Sequence, residues 1–280
     1  MVFNTRALGR FWYWIEERHR IYMKRQAGEL APWTLDPVLR DYFFCNVFRE
    51  LDPGTVWLRQ GWTDRHGYGS DAFDGPTLLF NIIKYRLFGT ERAGAALGYQ
   101  TAWDDSMAAI TTRLLTQARM DGPIYTAAYM HSGGLADHVK LLGDVWADRH
   151  NLYGRIVADR TIQGATKILT EIPHFGPFMA YEVATDLRHT PVLDGAPDTM
   201  TWANPGPGSW RGLRRIFPYV SKAEAVAAMA LLLLWSQSKL AAYVPPLEMR
   251  DIEHSLCEFD KYERASQPGV VGLRRYGVKA

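Results

Sequence analysis

The stretch from Ile168 to Gly208, ILTEIPHFGPFMAYEVATDLRHTPVLDGAPDTMTWANPGPG, constrains this chain more than any other. It reads as a helix, a tight turn around Pro173–Gly176, a second helix and then an acidic loop. A Gly-bearing turn that opens a helix presents backbone N–H groups to an anion. On a basic chain the natural anion is a DNA phosphate, and the acids of the adjoining loop then sit beside a nucleotide.

The remainder of the chain extends this helical reading. Phe11, Trp14, Ile15 and Tyr22 make an apolar stripe over Phe11–Ala27, with Gly28 as its stop. Asp36-Pro37 opens a second helix, predicted to carry VLRDYFFCNVFREL. Gly61 to Gly75 reads as a loop. Further helices are predicted at Pro76–Phe88, Glu91–Leu97, Trp103–Arg119, Ile124–Met130, Leu135–Arg149, Arg160–Glu171, Pro177–Leu187, Ala223–Tyr243 and Glu248–Arg264. Ser221 and Glu224 form a capping-box pattern. Alternating apolar and polar runs are scarce, so the expected fold is all-α. One helical domain is expected over 1–266, with its helix-hairpin-helix at about 160–187, both chain ends in one body, and a frayed basic tail over 267–280.

Composition excludes several classes. With 47% hydrophobic residues, 280 residues suffice for a real core. A net charge of +2 rules out histone-like binding but not a local basic patch. Two cysteines, Cys45 and Cys257, cannot build a disulfide framework or a four-cysteine metal site. The eight His show no HExxH spacing, so no metal and no other cofactor are expected. No signal peptide is visible. The most apolar run, Ala225 to Trp235, is too short to span a bilayer, so no membrane partner is expected.

The hairpin gains meaning from the loop on its C-terminal side. Asp194 lies eighteen positions after Gly176, within PVLDG. This resembles the helix-hairpin-helix DNA glycosylases, whose hairpin is followed at similar distance by a catalytic Asp. The resemblance implies that Gly176, His174 and nearby amides dock a phosphate and that Asp194 or Asp198 faces the base. The plain alternative is an ordinary αα-hairpin, with both acids in turns. Where bifunctional glycosylases carry a Schiff-base Lys after the hairpin Gly, this chain has Pro177 and Phe178. The iron–sulfur cysteines of some relatives are also absent. Excision through a Lys imine is therefore disfavoured.

Longer strings point to a narrower group. FWYWIEERHRIYMKRQAGELAPWTLDP, DYFFCNVFRELD, FGPFMAYEVATDLRHT, APDTMTWANPGPGSWRGL and IEHSLCEFDKYER together resemble the phage enzymes of thymine hypermodification. These are the α-glutamyl/putrescinyl thymine pyrophosphorylases and amino-acid:DNA transferases. The same helical module is also named from a 5-hydroxymethyluracil DNA kinase. Kinase activity needs a phosphate-binding loop, and this sequence contains no GxxxxGK[ST]. The resemblance implies a phage-encoded transferase in the host cytoplasm, working downstream of such a kinase. Its partners would be double-stranded DNA carrying phosphorylated 5-hydroxymethyluracil and a free amino acid or polyamine. The amine displaces the phosphate, and the product helps viral DNA escape restriction.

Such chemistry needs a flipped base, cations or N–H donors for the departing phosphate, a general base that keeps the amine neutral, the role expected of Asp194 or Asp198, and an Arg clamp for a donor carboxylate. Arg18 and His19, beside a Glu16–Arg20 pair at i,i+4, are expected to handle phosphate or donor, with a surface pair as the plainer reading. Asn46, Arg49 and Glu50 are expected to share a face of one helix. There Arg49 holds phosphate or carboxylate, or else ties helices as a buried pair. Trp202 and Asn204 stack on and hydrogen-bond the base, or pack a loop on the core. Lys167 touches phosphate or is solvated. Glu258, Asp260, Lys261 and Arg264 form charged i,i+3 pairs of a structural helix, with Lys261 as a substrate contact in the alternative. A Cys45 thiolate adding to pyrimidine C6 would help expel the leaving group, whereas a buried Cys on an apolar helix is inert. The rival functions are a glycosylase that excises a modified base and a non-catalytic DNA-binding module.

Overall fold

The computed structural model describes residues 1–68, 73–127, 132–267, 269 and 273–276. These residues are helical, with no strand among them. In chain order the helices are α1 (Thr5–Gln26), α2 (Pro37–Asp41), a 3-10 turn (Arg49–Leu51), α3 (Pro53–Leu58), a π-helical segment (Arg59–Tyr68), α4 (Gly75–Phe88), α5 (Glu91–Leu97) and α6 (Asp105–Met120). Next come α7 (Leu135–Asp159), α8 (Ile162–Leu169), α9 (Pro177–Leu187), α10 (Pro207–Ile216), a 3-10 turn (Lys222–Glu224), α11 (Ala225–Lys239) and α12 (Met249–Ala265). No helix among the described residues is long and apolar enough to cross a membrane.

The chain divides into two compact units. Unit 1 joins Met1–Asp52 to Thr199–Ala280, and unit 2 is Pro53–Asp198.

In unit 1, Asn4 caps α1 by accepting the N–H groups of Arg6 and Ala7. Phe11, Trp14 and Ile15 are fully buried on that helix. The expected Glu16–Arg20 pair is not made. Arg20 bonds Glu17 and the Tyr243 hydroxyl, and Glu16 accepts the N–H of Ala241. Helix α10, which the sequence pattern did not reveal, lies close against α12. A Cβ at Gly212 would overlap the Leu256 carbonyl, and one at Gly208 would overlap Cys257 Sγ. The GPGSWRGL string therefore sets a close helix–helix approach. The Ser221–Glu224 capping box is formed ahead of α11.

The largest departure from expectation is the helix predicted over 38–51. It stops at Asp41, and Tyr42 is already extended. The run Tyr42–Phe48 is aromatic and β-branched, which suits extended backbone. Two partners hold it there. The Phe43 N–H donates to Arg274 O and the Tyr276 N–H to Asp41 O, so part of the tail is paired rather than frayed. Arg18 claims the carbonyls of Phe44 and Cys45, which a helix would have used itself. Cys45 and Asn46 therefore stand on an extended strap, while Arg49 and Glu50 sit in the 3-10 turn. The shared helical face expected for Asn46, Arg49 and Glu50 does not exist.

In unit 2, the expected loop from Gly61 is π-helical as far as Tyr68, because Trp62 is drawn into a cluster with Leu58, Tyr85, Trp57 and Tyr99. Residues 69–72 of that expected loop lie outside the described residues. Of the helix expected at Ile124–Met130, residues 124–127 form turns and the remaining three lie outside the described residues. Helix α7 runs past Arg149 because Leu152 and Ile156 continue its buried stripe; it ends where Arg160 turns left-handed at φ 61°.

Candidate functional site

Helix α12 carries a polar stripe that the core should not tolerate without purpose. Arg250, Asp251, His254 and Glu258 are all buried, at spacings that return to one side of the helix. Facing them within unit 1 are Arg18 of α1, the 42–48 strap, the Arg49–Leu51 turn and Asp52.

Arg18 is the organiser. Its Nε donates to Cys45 O at 2.9 Å, and its Nη2 to Phe44 O at 3.3 Å and Asn46 Oδ1 at 2.7 Å. Asn46 Nδ2 donates to Leu51 O at 2.8 Å, which fixes the amide plane. The Asn46 N–H donates to Asp52 Oδ1 at 2.8 Å. His254 lies against the Asn46 backbone, and its Nε2 has no hydrogen-bond partner among the described residues. That bare Nε2 stands 3.9 Å from Asp52 Oδ2. The Cys45 N–H donates to Glu258 Oε2 at 2.9 Å, and Lys261 Nζ reaches the same oxygen at 3.3 Å.

Burial sets the protonation of these groups. It pushes the Cys45 thiol well up, helped by Glu258 and Asp52, so the resting sulfur is a thiol rather than a thiolate. This environment works against the C6-adding thiolate, although the apolar helix expected around Cys45 is absent. Burial, then Arg49 and Arg250, hold His254 well below its ordinary value, so the imidazole is neutral. Burial raises the carboxyls of Asp52, Glu253 and Asp251, the last to about 8 with Glu50 adding to the shift. Glu253 also receives the Gly206 N–H, which ties the WANPGPG loop to α12.

The cluster also holds unmatched polarity. Arg18 Nη1, Arg250 Nη1 and His254 Nε2 are buried with no hydrogen-bond partner among the described residues. A buried unsatisfied polar atom costs roughly 1–3 kcal/mol, more for a charged group. Native proteins keep such atoms where a ligand completes them.

Of the expected site residues, the structure brings Arg18, Asn46, Arg49, Glu50 and Lys261 into this neighbourhood. Arg49 is a charge neighbour of Cys45, Asp52 and His254. His19 is buried but packed between Tyr22 and Phe48. Trp202 and Asn204 lie half-buried ahead of α10, and both have partners. The charged pairs expected along α12 are made only in part. Lys261 pairs with Glu258, whereas Asp260 is gripped by Arg211 and Arg215 of α10 as well as by Arg264.

Unit 2 holds the remaining candidates. Lys167 and His174 are exposed around the α8–α9 turn. His174, not Gly176, takes the left-handed conformation, at φ 66°, and its Nδ1 meets Ser132 Oγ at 3.0 Å. Gly176 is the N-cap of α9 with φ −78°, and a Cβ there would meet nothing within 4 Å. Asp198 accepts the N–H groups of Ile162 at 2.8 Å and Gln163 at 2.9 Å, so it caps the first hairpin helix. Asp194 is exposed and receives the Tyr68 hydroxyl.

Asp52, Arg250, Asp251, Glu253 and His254 were not anticipated. The α12 stripe Arg250, His254, Cys257/Glu258, Lys261 was the signal available, a polar series at helical spacing inside a helix otherwise suited to the core.

Comparison with known proteins agrees with a helical module. The 5-hmdU DNA kinase of Bacillus phage SP10 is 27% identical over 288 residues, a stretch that covers 88% of this chain and 43% of that protein. The chain thus spans less than half the length of that relative. No solved structure matches it significantly. Residues 5–272 match the family described as "5-hmdU DNA kinase, helical domain", and the chain belongs to that family.

Proposed function

We propose that this chain is a DNA-modifying transferase acting on phosphorylated 5-hydroxymethyl-deoxyuridine in phage thymine hypermodification, exchanging the phosphate for an amine, most simply an amino acid. The amine lone pair attacks the 5-methylene carbon. A C–N bond forms, the C–O bond to phosphate breaks, and phosphate departs with the electron pair while the amine gives up a proton.

The observation that carries this reading is the pair of buried, unmatched guanidinium nitrogens, Arg18 Nη1 and Arg250 Nη1. Guanidinium donors without partners suit a phosphate or a carboxylate, and in a water-poor site they act at full strength. Arg49 and Lys261 add positive charge, Asn46 holds the geometry, and half-buried Glu50 is the proposed acceptor of the amine's proton. Trp202 and Asn204 are proposed to receive the base, with His19 supporting Arg18 by packing. In unit 2 the hairpin, through Lys167, His174 and Gly176, is proposed to hold the DNA backbone. Asp194 is its DNA-facing acid, and Asp198 holds α8 in place.

A second reading is favoured by the family and by the missing GxxxxGK[ST]. Here the helical domain recognises 5-hmdU in DNA for a separate phosphotransfer domain. One experiment separates the two. DNA carrying 5-hmdU or its phosphorylated form is incubated with the full chain and a panel of amino acids and polyamines, then digested, and nucleoside masses are read. Transfer gives a nucleoside heavier by the amine, and Arg250→Met lowers its yield by about 10²-fold, as loss of a charge-stabilising donor does elsewhere. Free base with abasic sites means excision instead. Unchanged nucleosides with salt-sensitive binding selective for 5-hmdU DNA overturn the transferase in favour of recognition.

A further inference from the structure

We propose that Cys45, Asp52 and His254 form a binding site for a divalent transition metal of the zinc class, with one position left for an oxygen ligand. Their ligand atoms all lie within 4.8 Å of one another. A metal about 2.0–2.3 Å from each atom of a tetrahedral set places those atoms roughly 3.3–3.8 Å apart. The His254 Nε2 to Asp52 Oδ2 separation of 3.9 Å is therefore within a small side-chain adjustment of a bound geometry.

Proximity alone would be weak support. Two further observations point to a ligand. The first is that His254 Nε2 is buried and has no hydrogen-bond partner, although the residue is only 8% exposed. It stands 3.9 Å from Asp52 Oδ2, so the two ligand atoms already face each other.

The second is the support behind the ligands. A metal-binding His usually donates its distal N–H to a backbone carbonyl or carboxylate, and ligating carboxylates are themselves hydrogen-bonded. Asn46 supplies the support for the carboxylate: its N–H donates to Asp52 Oδ1, which leaves Oδ2 toward the imidazole. Its side chain is locked by Arg18 and Leu51. Cys45 is the adjoining residue, with its N–H held by Glu258 and its carbonyl by Arg18. A Cys–Asp–His set with one open position is the donor chemistry of a reactive zinc rather than of a closed structural site. Spacing rules miss it because the ligands come from the strap, the turn after it and α12.

The test uses the full chain. Metal content is measured after purification from zinc-supplemented medium, and the metal-free protein is titrated with Co2+ alone. The expected results are about one zinc per chain and tetrahedral cobalt absorption with a thiolate-to-cobalt charge-transfer band. Cys45→Ser loses that band and Cys257→Ser keeps it. The wild-type spectrum reads the site without depending on whether any variant folds. No retained zinc with an octahedral, thiolate-free cobalt spectrum overturns the proposal, as does a band that tracks Cys257 instead. Neither result depends on transferase activity, so this site and the proposed function fail separately.

Discussion

Arg86 in unit 2 and Arg18 in unit 1 are buried almost equally, at 5% and 6% exposure, yet they are used in opposite ways. Arg86 faces acids: its Nε and Nη2 grip both oxygens of Asp186, the latter at 2.6 Å, and its Nη1 stands 3.6 Å from Glu182. Arg18 faces no carboxylate directly. Its three bonds go to two carbonyls and an amide, and Nη1 is left over. A buried charge whose donors are answered by acids is a tie between helices. One whose donors are partly unanswered, among acids that burial has raised, is where we propose that a ligand binds.

The comparison breaks most visibly at Arg86. Arg86→Ala leaves Asp186 and Glu182 buried without their cation, which costs about 3–5 kcal/mol. At this chain length that is a fall in Tm of roughly 10 °C, read by thermal or urea unfolding. A loss under about 1 kcal/mol would show that the pairing is not a tie, and the contrast with Arg18 would collapse.

Legibility in the sequence divides along the same line. The elements of unit 2 that rest on local signals were legible: Asp74-Gly-Pro before α4, Thr90 and Glu91 at α5, Gly176-Pro177 at α9. Helices α8 and α9 and the turn between them were legible too, because their signals are local. The unit 1 cluster was not. Arg18 meets the strap 26 to 28 residues away and the strap meets α12 213 residues away, and no spacing rule reports that. The segment DYFFCNVFREL shows the mechanism. Its apolar pattern fits a helix as well as a strap, and the deciding partner, Arg18, lies elsewhere in the chain. Asp198 is a similar case. It looked like a loop acid free for chemistry, but its oxygens close the end of a helix 36 residues earlier.

A smaller effect sharpens the cluster's side of the comparison through pH. Burial, with Glu50 adding to it, raises the Asp251 carboxyl to about 8, against about 4 for an unfolded chain. The folded form therefore holds a proton that the unfolded form gives up. Stability from this group is complete below about pH 4 and is lost as pH rises through about 8. Asp251→Asn keeps an oxygen for the Glu248 N–H, which Asp251 Oδ2 now accepts at 2.9 Å, but removes the titration. Tm measured between pH 5 and 8.5 should fall less steeply in the variant, by a few degrees over that range. Parallel curves for variant and wild type would mean that the acid is already ionised, and the cluster would then be as fully compensated as the Arg86 tie.

The smallest effect on stability is expected at the hairpin, where the contrast with Arg86 is cleanest. Gly176 has an ordinary φ of −78°, and an added Cβ would meet nothing within 4 Å. Gly176→Ala should therefore leave stability within about 0.5 kcal/mol of the parent. A glycine that the fold does not require is informative only if something from outside approaches the backbone there. If the turn docks a phosphate, the new methyl group stands in its path, and DNA affinity at fixed salt should drop roughly fivefold, or about 1 kcal/mol. Arg86→Ala would then lower stability without touching the DNA face, and Gly176→Ala would lower DNA affinity without touching stability. Unchanged affinity in the second variant would make the hairpin an ordinary pair of helices and leave the unit 1 cluster to account for nucleic-acid recognition by itself.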